Sequence, residues 1–363
     1  MSAKRGRIKL RSKKQAGAAA RAADTAVDLT RLLDIVATFP RRTICVVGDF
    51  VLDQFVSGEI SRISREAPVL ILRHRRTEAY PGGAANAVNN LADLGAHVLP
   101  VGVVGDDEGS KILLDYFRAK RIDTSGILRT RNRATTTKTR YLAGWTHTTE
   151  QQVLRVDREP REELPERVQE SLTRKARKNA KSADAVLVSD YGLGAASPEM
   201  VSKLNAKPVT LDSRYRLLEY RDAAITAATP NEPELEAAYQ VTVGNDLPKL
   251  EELGQRTLRD LDLEALLVTR GKDGMALFER SSGKEPLIHN IAIYGSDAPV
   301  DVTGAGDTVI AVFTLAQAAG ASNLEAAHLA NYAGGIVVMK RRTATVTRAE
   351  LEAVLRREAT AQR

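Results

Sequence analysis

A chain of 363 residues, 43% hydrophobic and 27% charged, is ordinary globular material. It is long enough to bury a sizeable core, as one large α/β domain or two smaller ones. Aromatic residues are only 4%, which argues against ring-stacking platforms for single-stranded nucleic acid. No apolar run spans a membrane or has the layout of a secretory signal, and the lone Cys45 cannot form an internal disulfide. A cytoplasmic, reducing environment is therefore expected.

The formal net charge of +7 belongs to one end of the chain. Eight basic residues (Lys4, Arg5, Arg7, Lys9, Arg11, Lys13, Lys14 and Arg21) precede the first acid, Asp24. Setting them aside from the 53 basic residues leaves 45 against 46 acidic ones, a balance of −1. Residues 1–28 read as a basic, disordered, solvated tail. Contact with RNA or anionic lipid, or use as an organelle transit sequence, are the functional alternatives.

From about Leu29 the pattern becomes α/β. Thr43–Val47 is a continuous apolar run ending at Gly48-Asp49 and reads as a buried parallel strand. Shorter strands are expected at Val56–Ile60 and Pro68–Arg73, then a helix opened by Pro81-Gly82-Gly83 and running through Ala96. A strand at His97–Val104 and a helix at Asp106–Lys120 follow. Residues 122–157 carry strand-like pieces (Ile127–Arg129, Thr135–Leu142, Gln152–Val156) without a helix between them. With 53–76 they suggest a small antiparallel sheet standing off the body, as a lid over a cleft or a dimer surface. Regular alternation then resumes. Strands are expected at Ala185–Ser189, Pro208–Leu211, Ala224–Thr229, Leu266–Thr269 and Met275–Phe278. Helices are expected at 162–181, 197–205, 231–239, 246–260, 305–319, 323–338 and 347–358. A single domain over 29–359, with a lid, is favoured.

The stretch that organises the chain is Asp301-Val302-Thr303-Gly304-Ala305-Gly306-Asp307-Thr308, followed by an apolar helical run. Gly304 and Gly306 remove side chains that would keep a bulky anion from the backbone, and the helix aims unpaired N–H groups and its positive end at it. Asp307 stands in the first turn, where the helix dipole should keep it ionised near neutral pH. Anion hole and base in one turn suit phosphoryl transfer to a hydroxyl. A Gly-rich turn capped by an acid is the plain alternative.

Other patterns are weaker. The chain has no Walker A motif, so a P-loop kinase is excluded by motif. Ala185–Ser189, Gly192-Leu193-Gly194, a helix, a strand and Asp212 imitate a dinucleotide fingerprint and with it an NAD-dependent oxidoreductase. Against that, Ser197 takes the third glycine position and Asp190 would repel a pyrophosphate. Five scattered histidines include no pair at ligand spacing, so a zinc site is not expected.

Gly304-Ala305-Gly306-Asp307, Pro81–Asn86, Val47-Gly48-Asp49 and Thr229-Pro230-Asn231-Glu232-Pro233-Glu234 together resemble the ribokinase-like (PfkB) carbohydrate kinases. Ser61–Ser64, Glu66–Val69, Leu187–Tyr191 and Leu266–Arg270 extend the similarity, from about residue 41 onward, to the kinase module of bacterial heptose-7-phosphate kinases. The resemblance implies a Rossmann-like, mostly parallel sheet with a β-lid, and transfer of the ATP γ-phosphate to a sugar hydroxyl. Asp307 would be the base, with Gly304, Ala305 and Gly306 as the anion hole. Asp49, Asp53, Gly82, Gly83, Asn86 and Asp190 would line the sugar pocket, although Asn86 is equally a helix-opening cap.

Asn231 and Glu234 match the family's Asn-x-x-Glu element around Mg²⁺, Glu234 through water, and equally form a capping-box pair. Thr269, Gly271 and Gly274 would face the ATP phosphates, Asn331 the adenine, and Asp301 and Thr303 a monovalent cation such as K⁺. Lys138, Arg140 and Arg155 would clamp the phosphate of a phosphosugar, unless they form a solvated strand face. The implied acceptor is D-glycero-D-manno-heptose 7-phosphate, or another phosphosugar, sugar or nucleoside, and a homodimer through the lid is expected. Two departures bear on the acceptor: a longer segment at Gly144–Thr149, and Leu193 where those kinases have lysine. A fused nucleotidyltransferase module is not expected after residue 358.

Overall fold

The computed structural model describes residues 27–361 apart from 132, 146–148, 207 and 284. The expected basic tail, up to residue 26, and residues 146–148 of the longer lid segment lie outside the described residues. The chain begins with α1 (Leu29–Thr38), β1 (Thr43–Gly48), β2 (Phe50–Ile63), β3 (Leu70–Gly83), α2 (Ala84–Asp93), β4 (His97–Gly105) and α3 (Glu108–Ala119). Next come β5 (Ile127–Thr130), β6 (Thr136–Gly144), β7 (Gln151–Arg158), α4 (Glu166–Ala180), β8 (Ala185–Asp190), α5 (Pro198–Ser202) and β9 (Val209–Ser213). Then follow β10 (Ala227–Ala228), α6 (Glu232–Tyr239), α7 (Leu247–Asp260), β11 (Ala265–Thr269), β12 (Met275–Glu279) and β13 (Leu287–Ile291). The last elements are α8 (Ala305–Ala318), α9 (Asn323–Val337) and α10 (Arg348–Ala361).

The large sheet runs β13-β12-β11-β10-β9-β8-β1-β4-β5, parallel except for the antiparallel β12 and β13. Side-chain alternation along β1 divides the core between its two faces. Ile44 and Val46 join the layer packed by α1, α2, α8 and α9, and Cys45 and Val47 the layer packed by α4, α5 and α7. Burial pushes the Cys45 thiol up to about 12. The chain leaves β1 for one side of the sheet (β4) and returns on the other (β8), so the carboxyl ends of β1 and β8 open onto a crevice. Asp49, Asp190 and Tyr191 lie at that rim.

The small sheet, β3-β2-β6-β7, stands at the same end. Its strands β2 and β3 are each fourteen residues long, with register shifts at Ser57/Gly58 and Ile60/Arg62 that bend the ribbon. Buried Phe50, Val51 and Leu52 anchor it in the body, whereas every residue of β7 is exposed. Three expectations are corrected here. The small sheet is mixed rather than antiparallel throughout, since β2 pairs in parallel with β6. Ile127–Thr130 pairs in parallel with β4 in the large sheet, so the small sheet takes only the later part of 122–157. Pro81-Gly82-Gly83 closes β3 rather than opening the helix; Gly83, at φ 56°, makes the turn and α2 begins at Ala84.

Candidate active site

Asp307 lies buried in the first turn of α8, behind Gly304, which caps the helix at φ 81°. Asn86 Nδ2 donates to Asp307 Oδ2 at 2.9 Å and Tyr191 Oη donates to Oδ1 at 2.9 Å. Burial pushes this carboxyl up to about 7, and Asp53 adds to it. The two donors and Lys138 oppose the rise without cancelling it. Desolvation thus outweighs the helix dipole on which the sequence expectation rested. Asn86 is a prop for this carboxylate more than a lining of the sugar pocket, since it also reaches Gly304 O at 3.3 Å and accepts from Asn90.

The anion hole differs in one member. Ala305 N–H turns back to Val302 O at 3.2 Å, while the amides of Gly304, Gly306 and Asp307 have no partner among the described residues. The two glycines play separate parts. A Cβ at Gly304 would stand 2.4 Å from Asn86 Nδ2, whereas one at Gly306 meets nothing within 4 Å and would enter the open cleft. Gly304→Ala is therefore expected to lower the melting temperature together with turnover, through the left-handed backbone and the lost Asn86 contact. Gly306→Ala should leave the melting temperature unchanged or higher, since Ala is the better helix former by about 1 kcal/mol. It should still raise the KM for ATP at least tenfold, a split that thermal melts and steady-state kinetics would read.

Beside the anion hole opens a cleft of about 210 Å³ walled by Met275, Ile293, Pro299, Val302, Val309 and Val338. Thr269, Gly271, Gly274 and Asn331 line it, as do Ala305 and Gly306, so the expected nucleotide residues meet in one place. Asn331 differs in role. Its Nδ2 donates to Ala292 O at 2.8 Å and its Oδ1 accepts from Tyr294 N, so its amide holds the wall instead of standing free for a base. A backbone bridge between Asn231 and Thr269 sets the Asn-x-x-Glu turn at the same edge.

That turn is a capping box at the start of α6, with Glu234 N donating to Asn231 Oδ1 at 2.8 Å and Asn231 N to Glu234 Oε2 at 2.9 Å. Burial raises Glu234, and burial with Glu234 beside it pushes Asp212 well above the usual carboxylate range. Two carboxylates that repel each other in a low-dielectric corner suit a divalent cation. Among the described residues no cluster of three such ligands occurs. In the sequence Asp212 stands out only as part of the dinucleotide imitation.

On the acceptor side the first-strand acids divide. Asp53 is buried, accepting from Arg140 at 2.5 Å and from Thr343 Oγ1 at 3.0 Å, and it lies over Gly82, where a Cβ would approach to 2.5 Å. Asp49 is not open to a sugar: its oxygens accept the amides of Tyr191, Leu193 and Ala195 at 2.9–3.0 Å. Asp190 is likewise withdrawn, fully buried and bonded to Arg216, Ser213, Tyr220 and the Gly192 amide. These bonds also dispose of the dinucleotide imitation, because Asp49 and Asp190 consume the amides a pyrophosphate would need.

The expected phosphate clamp is reduced too. Arg140 is spent on Asp53 and Arg155 on Asp157, at 2.6 Å. Lys138 is 8% exposed, makes no ion pair among the described residues, and lies with Nζ 5.0 Å from the Tyr191 ring centroid. Arg214, just past β9, faces Lys138, Asp212 and Glu234, a position the sequence did not signal. Asp301 accepts the amides of Thr303 and Arg342, and the cleft it shares with Thr303 also holds Arg140, Arg341 and Arg342.

A family model described as pfkB family carbohydrate kinase matches residues 41–350. The chain belongs to that family. PfkB kinases are phosphotransferases acting on a sugar hydroxyl, using ATP and a divalent metal. The Bifunctional protein HldE of Desulfatibacillum aliphaticivorans is 40% identical over 328 residues, which cover 88% of this chain and 64% of that protein. This PfkB chain thus spans less than two thirds of the length of that relative. Arabidopsis thaliana ribokinase, complexed with ribose and ATP, superposes with a TM-score of 0.66 at 19% identity, covering 86% of this chain and 98% of its own. Escherichia coli phosphofructokinase-2, in complex with substrates and products, gives 0.70 at 15%, covering 88% and 99%. At such identities they show the fold, which is ribokinase-like.

Proposed function

We propose that this PfkB kinase moves the γ-phosphoryl group of ATP to the anomeric hydroxyl of a phosphorylated sugar, D-glycero-D-manno-heptose 7-phosphate being the first candidate. The observation that carries the phosphorylated acceptor is Lys138, a buried cation that makes no ion pair among the described residues and lies over the ring of Tyr191, whose hydroxyl meets the base. Burying an unpaired charge is costly unless a ligand supplies the opposite one. Asp53 would accept from sugar hydroxyls. Asp307 would take the acceptor proton as its oxygen attacks phosphorus, and the free amides of Gly306 and Asp307 would hold the moving phosphoryl oxygens. Asp212 and Glu234 would hold Mg²⁺ through its waters, the ion supplying charge neutralisation for the phosphates. The heptose is favoured by the relationship to HldE proteins.

Assaying the purified protein with Mg-ATP against a panel of sugars and sugar phosphates tests this reading. The heptose 7-phosphate is expected to give the highest kcat/KM, and a neutral sugar used as well as any phosphorylated one would sink it. We also propose a homodimer through the lid. The small sheet and its β2–β3 connection expose Ile63, Val69, Leu70, Val153, Leu154 and Val156, more apolar surface than an open-edged ribbon keeps in water. Light scattering should return a dimer mass, and Leu154→Glu with Val153→Glu a monomer.

A further inference from the structure

The carboxylate of Asp307 is held from two sides by residues on different elements: Asn86 from α2, and Tyr191 from the turn after β8. The tyrosine is itself held in three ways. Its amide donates to Asp49 Oδ2 at 2.9 Å, within the loop that Asp49 gathers through Leu193 and Ala195. Its ring edge lies against Gly83, where even a Cβ would come within 3.3 Å. Its ring face carries Lys138 Nζ at 5.0 Å. Pinned at backbone, edge and face, the side chain aims its hydroxyl at Asp307 rather than seeking a partner in solvent.

We propose that Tyr191 is a positioning residue for phosphoryl transfer: its hydroxyl holds Asp307 in the ionised form and fixes the carboxylate plane so that a free lone pair faces the acceptor. This rests on Asp307 being the base. In the step, the acceptor O–H bond breaks as its oxygen bonds to phosphorus. The proton passes to Asp307, and the electron pair of the broken P–O bond leaves with ADP. Tyr191 keeps its own proton throughout.

A hydrogen bond donated to a carboxylate favours its charged form, and this carboxylate needs that support. It is buried, Asp53 on β2 and Asp212 on β9 face it with like charge, and Lys138 on β6 faces it with the opposite one. Tyr191 and Asn86 are the neutral donors, and without the first the acid would reach its protonated form at a higher pH.

Tyr191→Phe removes the hydroxyl while keeping the ring, its seat on Gly83 and the stacking of Lys138. A charge-assisted hydrogen bond of this kind corresponds to about one to two pH units. The acid limb of kcat/KM, measured with Mg-ATP and D-glycero-D-manno-heptose 7-phosphate, is expected to move up by that amount. Turnover at about pH 6.5 should fall by about eightfold for a shift of one unit and by more for two, with the alkaline plateau kept within about threefold. An infrared titration of the carboxylic C=O band that disappears in Asp307→Asn should show the same upward shift without substrate. An unchanged limb and band would overturn the proposal, and so would an equal loss at every pH, the mark of a plain substrate contact. Near-wild-type turnover in Asp307→Asn would instead overturn the assignment of the base, so the two failures are told apart.

Discussion

Replacing Asp307 by asparagine is expected to lower kcat by ~10²–10⁴ while raising the thermal stability of the unliganded protein. The loss is the usual worth of a positioned base. The gain follows from linkage. The unfolded carboxyl ionises at 3.8 and the folded one at about 7, so between those values the fold keeps a proton that the unfolded chain has lost. Stability therefore falls as pH rises through that window. Above it the full cost of an ionised, buried acid is present, at most ~4 kcal/mol. Asparagine carries no charge and recovers part of this, since one carbonyl oxygen cannot accept from Asn86 and Tyr191 as two carboxylate oxygens do. Melting curves at pH 8 should show the variant above wild type by several degrees, with the difference shrinking towards pH 4. Turnover near the wild-type level, or a stabilisation that grows on acidification, would contradict the account.

Lys138→Met should have the largest effect on the acceptor. Burial lowers this ammonium from its ordinary value, and Arg214 and Arg155 add to that, while Asp53 and Asp157 oppose it. The lysine thus sits uncomfortably until an anion arrives. Removing one partner of a buried charge pair typically costs 2–5 kcal/mol, so the KM for a phosphorylated acceptor should rise by ~10² or more. The KM for ATP should hardly move, because the nucleotide cleft lies on the far side of Asp307 and Lys138 does not line it. The unliganded variant should be no less stable than wild type, methionine filling the volume without the charge. An acceptor KM changed by less than threefold would show that the substrate phosphate is held elsewhere.

What could be read from the chain follows physical lines. Strands β1, β8 and β11 are buried on both faces and announce themselves as apolar runs. Strand β13 alternates Leu287-Ile288-His289-Asn290-Ile291 at the sheet's edge and did not. Helix α1, tucked against α10 by Leu32, Ile35 and Val36, is not among the expected helices. The lid strands run longer than the sequence predicts, because Arg73 to Arg76 break any apolar pattern and pairing of β2 with β3 and β6 supplies their regularity instead.

In the site, the anion-hole turn and the Asn-x-x-Glu turn were legible because each is a local device of backbone and cap. Asp49 and Asp190 look like ligands in the sequence, which shows an acid at a strand end and not what reaches it. The amides on Asp49 come from more than 140 residues away, and Arg216 follows Asp190 by 26. Thr343, which meets Asp53 across 290 residues, and Tyr191 as a donor to Asp307 had no local signal at all.

The thiol of Cys45, carried by β1, sealed in the core and held almost wholly protonated, is the one sulfhydryl in the chain. Maleimides and thiol-directed nitroxide reagents react by attack of the thiolate on them, so the folded wild-type protein offers them an almost silent background. A cysteine introduced at Val153 or Tyr215 would therefore take a dye or spin label alone. Distances between lid and body could then be followed through a catalytic cycle without first stripping native cysteines from the enzyme.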